Sequence, residues 1–157
     1  MCILTVRKRG GTMKKIIILL SVFAIMASTV FAIDPANEPN RFSQYVNDSK
    51  YTAYIDTASF SVPIPPKDDF SCLQVDIYVH GNESSQNFGQ TKRFFYDHLT
   101  KKIYLQMISL AQYDTDWNMV RNKQLFTSTK NIIEVPENSL MYKEAAQAYK
   151  LKTGIDW

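Results

Sequence analysis

The stretch CLQVDIYVH, residues 72–80, constrains the fold more than any other part of this chain. Leu73, Val75, Ile77 and Val79 alternate with Gln74, Asp76, Tyr78 and His80. Successive side chains of a strand point to opposite faces, so the spacing predicts a half-buried β-strand with one apolar face. A helix would scatter these apolar residues around its circumference.

The flanking segments predict the rest of a sheet. Residues 42–46 and 51–56 are short aromatic or β-branched runs around Asn47-Asp48-Ser49, a hairpin signal. Pro63, Pro65 and Pro66 remove backbone donors and exclude a central strand between residues 61 and 70. Residues 81–90, GNESSQNFGQ, read as a polar loop. Residues 91–96, 102–113 and 119–126 read as a meander with turns at 97–101 and 114–118. In the middle run, Ile103, Leu105 and Met107 are expected on one face and Tyr104, Ile108 and Leu110 on the other. Apolar residues on both faces predict a covered, central strand.

Residues 132–135 are extended before Pro136, and Ser139 is a suitable N-cap for a helix from Leu140 to about Lys152. Met141, Ala145 and Ala148 form its expected inner stripe. Lys150 and Lys152 complement its negative end, and Gly154 fits the stop. The expected fold class is α+β: an antiparallel meander of about five to seven strands with a C-terminal helix packed on one face.

The N-terminal part reads differently. Lys14 and Lys15 precede an apolar run from Ile16 to Ala27, broken only by Ser21. Small residues follow, with Val30 and Ala32 third and first before a cut between Ala32 and Ile33. Residues 13–32 therefore read as a secretory signal peptide. The run is short of the roughly 20 apolar residues of a spanning helix. Residues 1–12 do not fit a normal leader. Their Arg-Gly-Gly-Thr end resembles a translated ribosome-binding site, so Met13 is the expected start. Residues 33–40 read as an extended leader and residues 41–157 as a single exported β-rich domain.

Charge must be counted on the exported part. The chain has 18 Lys and Arg against 15 Asp and Glu, but residues 1–32 hold five of the basic residues and none of the acidic ones. Residues 33–157 thus carry 13 basic and 15 acidic residues, which gives no sign of a nucleic-acid partner. Cys72 is their only cysteine, so no intrachain disulfide forms there despite the oxidising compartment expected after export. Cys72 reads as a small buried hydrophobe, or alternatively as a reactive thiol needing a nearby base.

No catalytic, cofactor-binding or metal-binding set emerges. Asp114, Asp116 and Asn118 occupy the first three oxygen positions of a calcium loop, but Met119 and Leu125 stand where Gly and Glu are required. The segment reads as a polar hairpin turn. Trp117 in that turn, with Tyr113, is a binding anchor if exposed and core if folded back. Tyr113, Asp114, Asp116 and Trp117 are therefore the interaction candidates. His80 and His98 lie in no metal spacing, and His98, in a turn, is expected in solvent.

YTAYIDTASF carries a Tyr-Ile-Asp-x-x-Ser pattern, followed by the alternating strand, FFYDHLTKKIYLQMISLAQYD, and IIEVPENS before the helix. This order resembles the surface-adhesin protein E-like family of small exported bacterial domains, over most of residues 42–150. The resemblance implies a sheet plus helix at the bacterial cell surface and a role in adhesion to host matrix proteins. The family often carries one Cys after the FxYD strand and another near the helix end; His98 and Tyr149 stand thereabouts here.

The functional expectation is a non-catalytic periplasmic or cell-surface domain that binds a protein or an envelope component. It touches the membrane only through the transient signal peptide. A thiol- or His-dependent enzyme and a purely structural envelope protein are the alternatives, and the oligomeric state is left open. N-terminal sequencing of the exported form is expected to read Ile33-Asp34-Pro35, and any precursor peptide from residues 2–12 would overturn Met13 as the start.

Overall fold

The computed structural model describes residues 33–125 and 131–157. The upstream segment, the signal peptide, the Ala32 side of the cleavage site and the Phe126 end of the last meander strand lie outside the described residues. Seven strands form one sheet: β1 (Phe42–Asn47), β2 (Tyr51–Ser61), β3 (Phe70–Gly81), β4 (Asn87–Asp97), β5 (Lys102–Tyr113), β6 (Met119–Gln124) and β7 (Ile132–Glu134). Their order is β1-β2-β3-β4-β5-β6, every pair antiparallel, and β7 pairs with β5 beyond the reach of β6. One helix, α1 (Leu140–Thr153), follows. This is the expected α+β meander with its C-terminal helix. Among the described residues no helix is long and apolar enough to cross a membrane.

Three hairpins close in the same way. Asp48 accepts from the backbone N–H of Lys50 and Tyr51, Asp97 from Leu99 and Thr100, and Asp114 from Asp116 and Asn118. Each carboxylate thus supplies the turn with bonds that the strands no longer provide. Those bonds, chiefly from Tyr51, Thr100 and Asn118 respectively, hold the three carboxyls below their ordinary range.

Leu73, Val75 and Ile77 join Ile55, Phe94, Tyr96, Ile103 and Leu105 in the main core under α1. The helix starts where expected, with Ser139 Oγ accepting from Tyr142 N at 3.1 Å. It stops at Gly154, whose φ of 76° is left-handed and whose N–H bonds Lys150 O. Its inner stripe differs from the expected one. Glu144, Ala145 and Ala148 are buried, whereas Met141 is exposed. Two alanines let the backbone approach so closely that Tyr96 Oη donates to Ala145 O at 2.9 Å.

Glu144 is buried because it has partners. Lys92 Nζ, also buried, lies 2.7 Å from its Oε1, and Tyr45 Oη donates to Oε2. Burial and the neighbouring Glu144 carboxylate push the Tyr45 phenol well above its ordinary range, so it stays a donor.

Four other expectations change. β4 begins at Asn87, inside the segment read as a loop. Residues 35–37 make a 3-10 turn capped by Asp34 instead of an extended leader. The register of β5 against β4 slips between Thr91 and Lys92, which pair with Ser109 and Met107. Ile108 is the extra residue, so the pleat inverts there and Leu110 shares a face with Leu105 and not with Tyr104. β5 is internal but sits beside β6 and β7, not at the sheet centre.

Removing one member of the buried pair leaves an uncompensated charge. Glu144→Ala is expected to destabilise the domain by about 3–5 kcal/mol in urea unfolding. The double change Lys92→Met with Glu144→Leu is expected to cost far less, because no charge is then stranded.

Candidate binding face

The register decides which side chains line the sheet face opposite α1. Three successive rows across β3, β4 and β5 are Gln74–Arg93–Gln106, Asp76–Thr91–Ser109 and Tyr78–Gly89–Ala111. None of the described helices crosses this face, because α1 packs on the other one. The face divides into an aromatic end, a polar band and a second end around Arg93.

At the aromatic end, Phe42, Tyr54, Tyr78, Tyr113 and Trp117 form a second buried cluster. The Trp117 ring centroid lies 6.0 Å from Tyr78 and 5.8 Å from Tyr113, and Phe42 meets Tyr78 edge-on at 5.5 Å. Gly89 makes room for this packing: a Cβ there would lie 2.9 Å from the Tyr113 ring. Trp117 reaches the cluster because the turn holds it at a φ of 60° while Asp114 accepts from its neighbours' N–H groups. Of the four interaction candidates, Tyr113 and Trp117 are therefore buried, each 7% exposed, and Asp114 and Asp116 lie on the surface. The rings fold back as core. Burial raises the Tyr78 phenol well above its usual range. A hollow of about 200 Å³ beside the cluster is lined by Asp34, Tyr54, His80 and Trp117. His80 Nδ1 meets Asn87 Oδ1 at 2.6 Å, and Asn87 Nδ2 donates to Asp114 O at 2.7 Å, so this histidine serves the turn.

The polar band is internally satisfied. Arg41 grips the buried Asp56 with two bonds, Nε to Oδ1 at 3.0 Å and Nη2 to Oδ2 at 2.7 Å. Asp76, opposite Asp56 in register, accepts from Thr91 Oγ1 at 2.6 Å, and Ser109 donates to Thr91. Burial raises the Asp76 carboxyl above its ordinary range despite that bond. Asp56 and Ser59 have a further task. The β2–β3 ladder is interrupted after Asp56, and Ser59 Oγ fills the gap by donating to Asp56 O and accepting from Asp76 N. The Asp-x-x-Ser spacing is the chemistry of this bulge.

At the other end, Arg93 sits between two glutamines. Its Nη2 donates to Gln74 Oε1 at 2.9 Å and its Nη1 to Gln106 Oε1 at 3.3 Å. A groove of about 400 Å³ opens over it, walled by Phe70, Phe95, Tyr104 and Ile132. No feature of the local sequence marked Arg93, because its partners are 19 and 13 residues away and meet it only through the register.

A separate cleft of about 290 Å³ lies where the proline loop meets the end of α1, lined by Ser71, Cys72, His98 and Tyr149 among others. His98 is half-buried there, not solvated as expected: its Nε2 meets Ser71 Oγ at 3.0 Å and its ring packs edge-on against Trp157 at 5.1 Å. Cys72 is buried, and burial pushes its thiol up against the lowering pull of Arg93. Among the described residues no group of three or more His, Cys, Asp or Glu is arranged to hold a metal ion.

Comparison with known proteins gives no match to a family model, to a curated protein or to a solved structure.

A thiol kept protonated is a poor nucleophile. Cys72 is expected to react slowly with iodoacetamide in the native protein and rapidly in urea, with native kinetics as fast as a free thiol marking an accessible, activated cysteine.

Proposed function

We propose that this chain is an exported, non-catalytic domain that binds a protein or an envelope component at the cell surface or in the periplasm, using the sheet face opposite α1. The asymmetry of the two faces carries the reading. One is sealed by α1 over an apolar core. The other carries polar side chains between two ends with aromatic rings, Gln74, Asp76, Thr91 and Arg93 half-exposed among them, a composition suited to a wet, specific contact. β6 extends that surface as an edge strand exposed along its whole length, which an added strand can pair.

Export rests on the signal-peptide pattern of residues 13–32. The adhesin-like part rests on the resemblance to the surface-adhesin protein E-like family, and one detail favours it. Asp56 and Ser59, the polar residues of the resembling motif, work together in one bulge. His98 and Tyr149, with ring centroids 6.1 Å apart, depart from the cysteines that family often carries.

The Ser71–His98 contact favours a second reading, a His-dependent hydrolase. A Ser-His pair of that kind needs a third group to orient the imidazole, and among the described residues the side-chain bond of His98 goes to Ser71 alone.

Photo-cross-linkers at Gln124 on β6 and at Lys143 on the outer side of α1 separate the faces in intact cells. Envelope adducts are expected from Gln124 and not from Lys143. Equal yields from both, or protein retained in the cytosol, would sink the proposal.

A further inference from the structure

We propose that the Arg93 end of the open face is a binding site for a small organic carboxylate with a flat or short apolar body. The inference rests on the reading of that face as the binding surface and gives one end of it a ligand class.

The argument begins with charge. A guanidinium has five N–H donors and no acceptor. In Arg93 three of them are used, by Gln74 Oε1 through Nε and Nη2 and by Gln106 Oε1 through Nη1. Both partners are neutral amides, and among the described residues no carboxylate pairs with Arg93. The nearest open-face carboxyl in register, Asp76, is one row away and is engaged by Thr91. The chain therefore holds a cation in place with groups that orient it and do not neutralise it. The contrast with Arg41, which is paired to Asp56 by two bonds, is internal to the same face.

The surroundings then choose the anion. The groove over Arg93 has about 400 Å³, within the range of small-molecule sites. The Phe70 and Phe95 rings pack tilted against each other, 5.9 Å apart with 31° between their planes, and Tyr104 and Ile132 continue the apolar wall. Such walls favour a ligand with an apolar body and disfavour a fully hydrated ion such as free phosphate. A carboxylate accepts two parallel N–H bonds from a guanidinium, the geometry that Arg provides and Lys does not. Cation, fixed orientation and flat apolar walls together describe an amphipathic carboxylate.

The test uses purified protein spanning residues 33–157, with phenylacetate and octanoate as probes. The matched alcohols 2-phenylethanol and octanol, and inorganic phosphate, are the controls. Arg93 Nε–H is followed by NMR, its resonance identified by its loss in Arg93→Lys. Saturable shifts are expected with both carboxylates, with the alcohols weaker by about tenfold or more. Arg93→Gln, which keeps a neutral hydrogen-bonding side chain, is expected to weaken carboxylate binding by about tenfold or more. The wild-type comparison of acid with alcohol needs no variant, so a misfolded Arg93→Gln leaves the test intact. Alcohol or phosphate binding as tight as the carboxylates overturns the site, as does no shift up to about 10 mM. Envelope cross-links from Gln124 combined with an unresponsive Arg93 would sink the carboxylate site alone and leave the binding face standing.

Discussion

Glu144 reaches from α1 into the apolar layer and meets Lys92 at 2.7 Å, with Tyr45 of β1 closing the second carboxylate oxygen. Either charge alone in that layer would cost several kcal/mol. The arrangement is tolerable only when helix, central strand and first strand are all in register, so it acts against any sliding or rotation of α1 on the sheet. Tyr96, bonded to Ala145 O one residue further along the helix, fixes the same geometry a second time. The apolar face of the strands sets which side α1 closes, and this pair of anchors fixes how it sits there.

The open face depends on the pleat in turn. Every residue assigned to it stands there because of register, and two irregularities adjust that register. The extra residue at Ile108 turns Ser109 inward to Thr91 and moves Leu110 to the other side. The break after Asp56 lets Ser59 stand in for a missing ladder partner. Gly89 adds a third adjustment by leaving space for the Tyr113 ring. These devices put rings at one end and charges in the middle of a face that simple alternation would make uniform.

Much of this was legible in residues 42–154. Alternation gave β3, the Asp-containing turns gave the hairpins, and Ser139 and Gly154 gave the helix ends, because each signal is local. What failed was non-local. Met141 matches the helical stripe as well as Glu144 does, and hydrophobicity favours it; Lys92 and Tyr45, 52 and 99 residues away, make Glu144 the buried one. His98 read as solvated because Ser71 and Trp157 are distant in sequence. A bulge is nearly silent in composition, so simple alternation puts Leu110 on the wrong face. The interaction candidates in the 113–118 turn were found by type, yet whether Trp117 faces solvent or core depends on Tyr78, which no local pattern could supply.

Arg93 is the case where this limit matters most for function. Its local sequence, an alternating strand, explains its direction and nothing else. The charged side chains of the open face have different fates. Asp56 is neutralised by Arg41, and Asp76 is desolvated so that its carboxyl is pushed toward the neutral form. Arg93 keeps its charge among amides and rings. An Asp or Glu at position 74 or 106 would pair the Arg93 cation, as Asp56 pairs Arg41. Glutamines at both positions hold the guanidinium in the same plane and leave its charge to whatever settles on the groove.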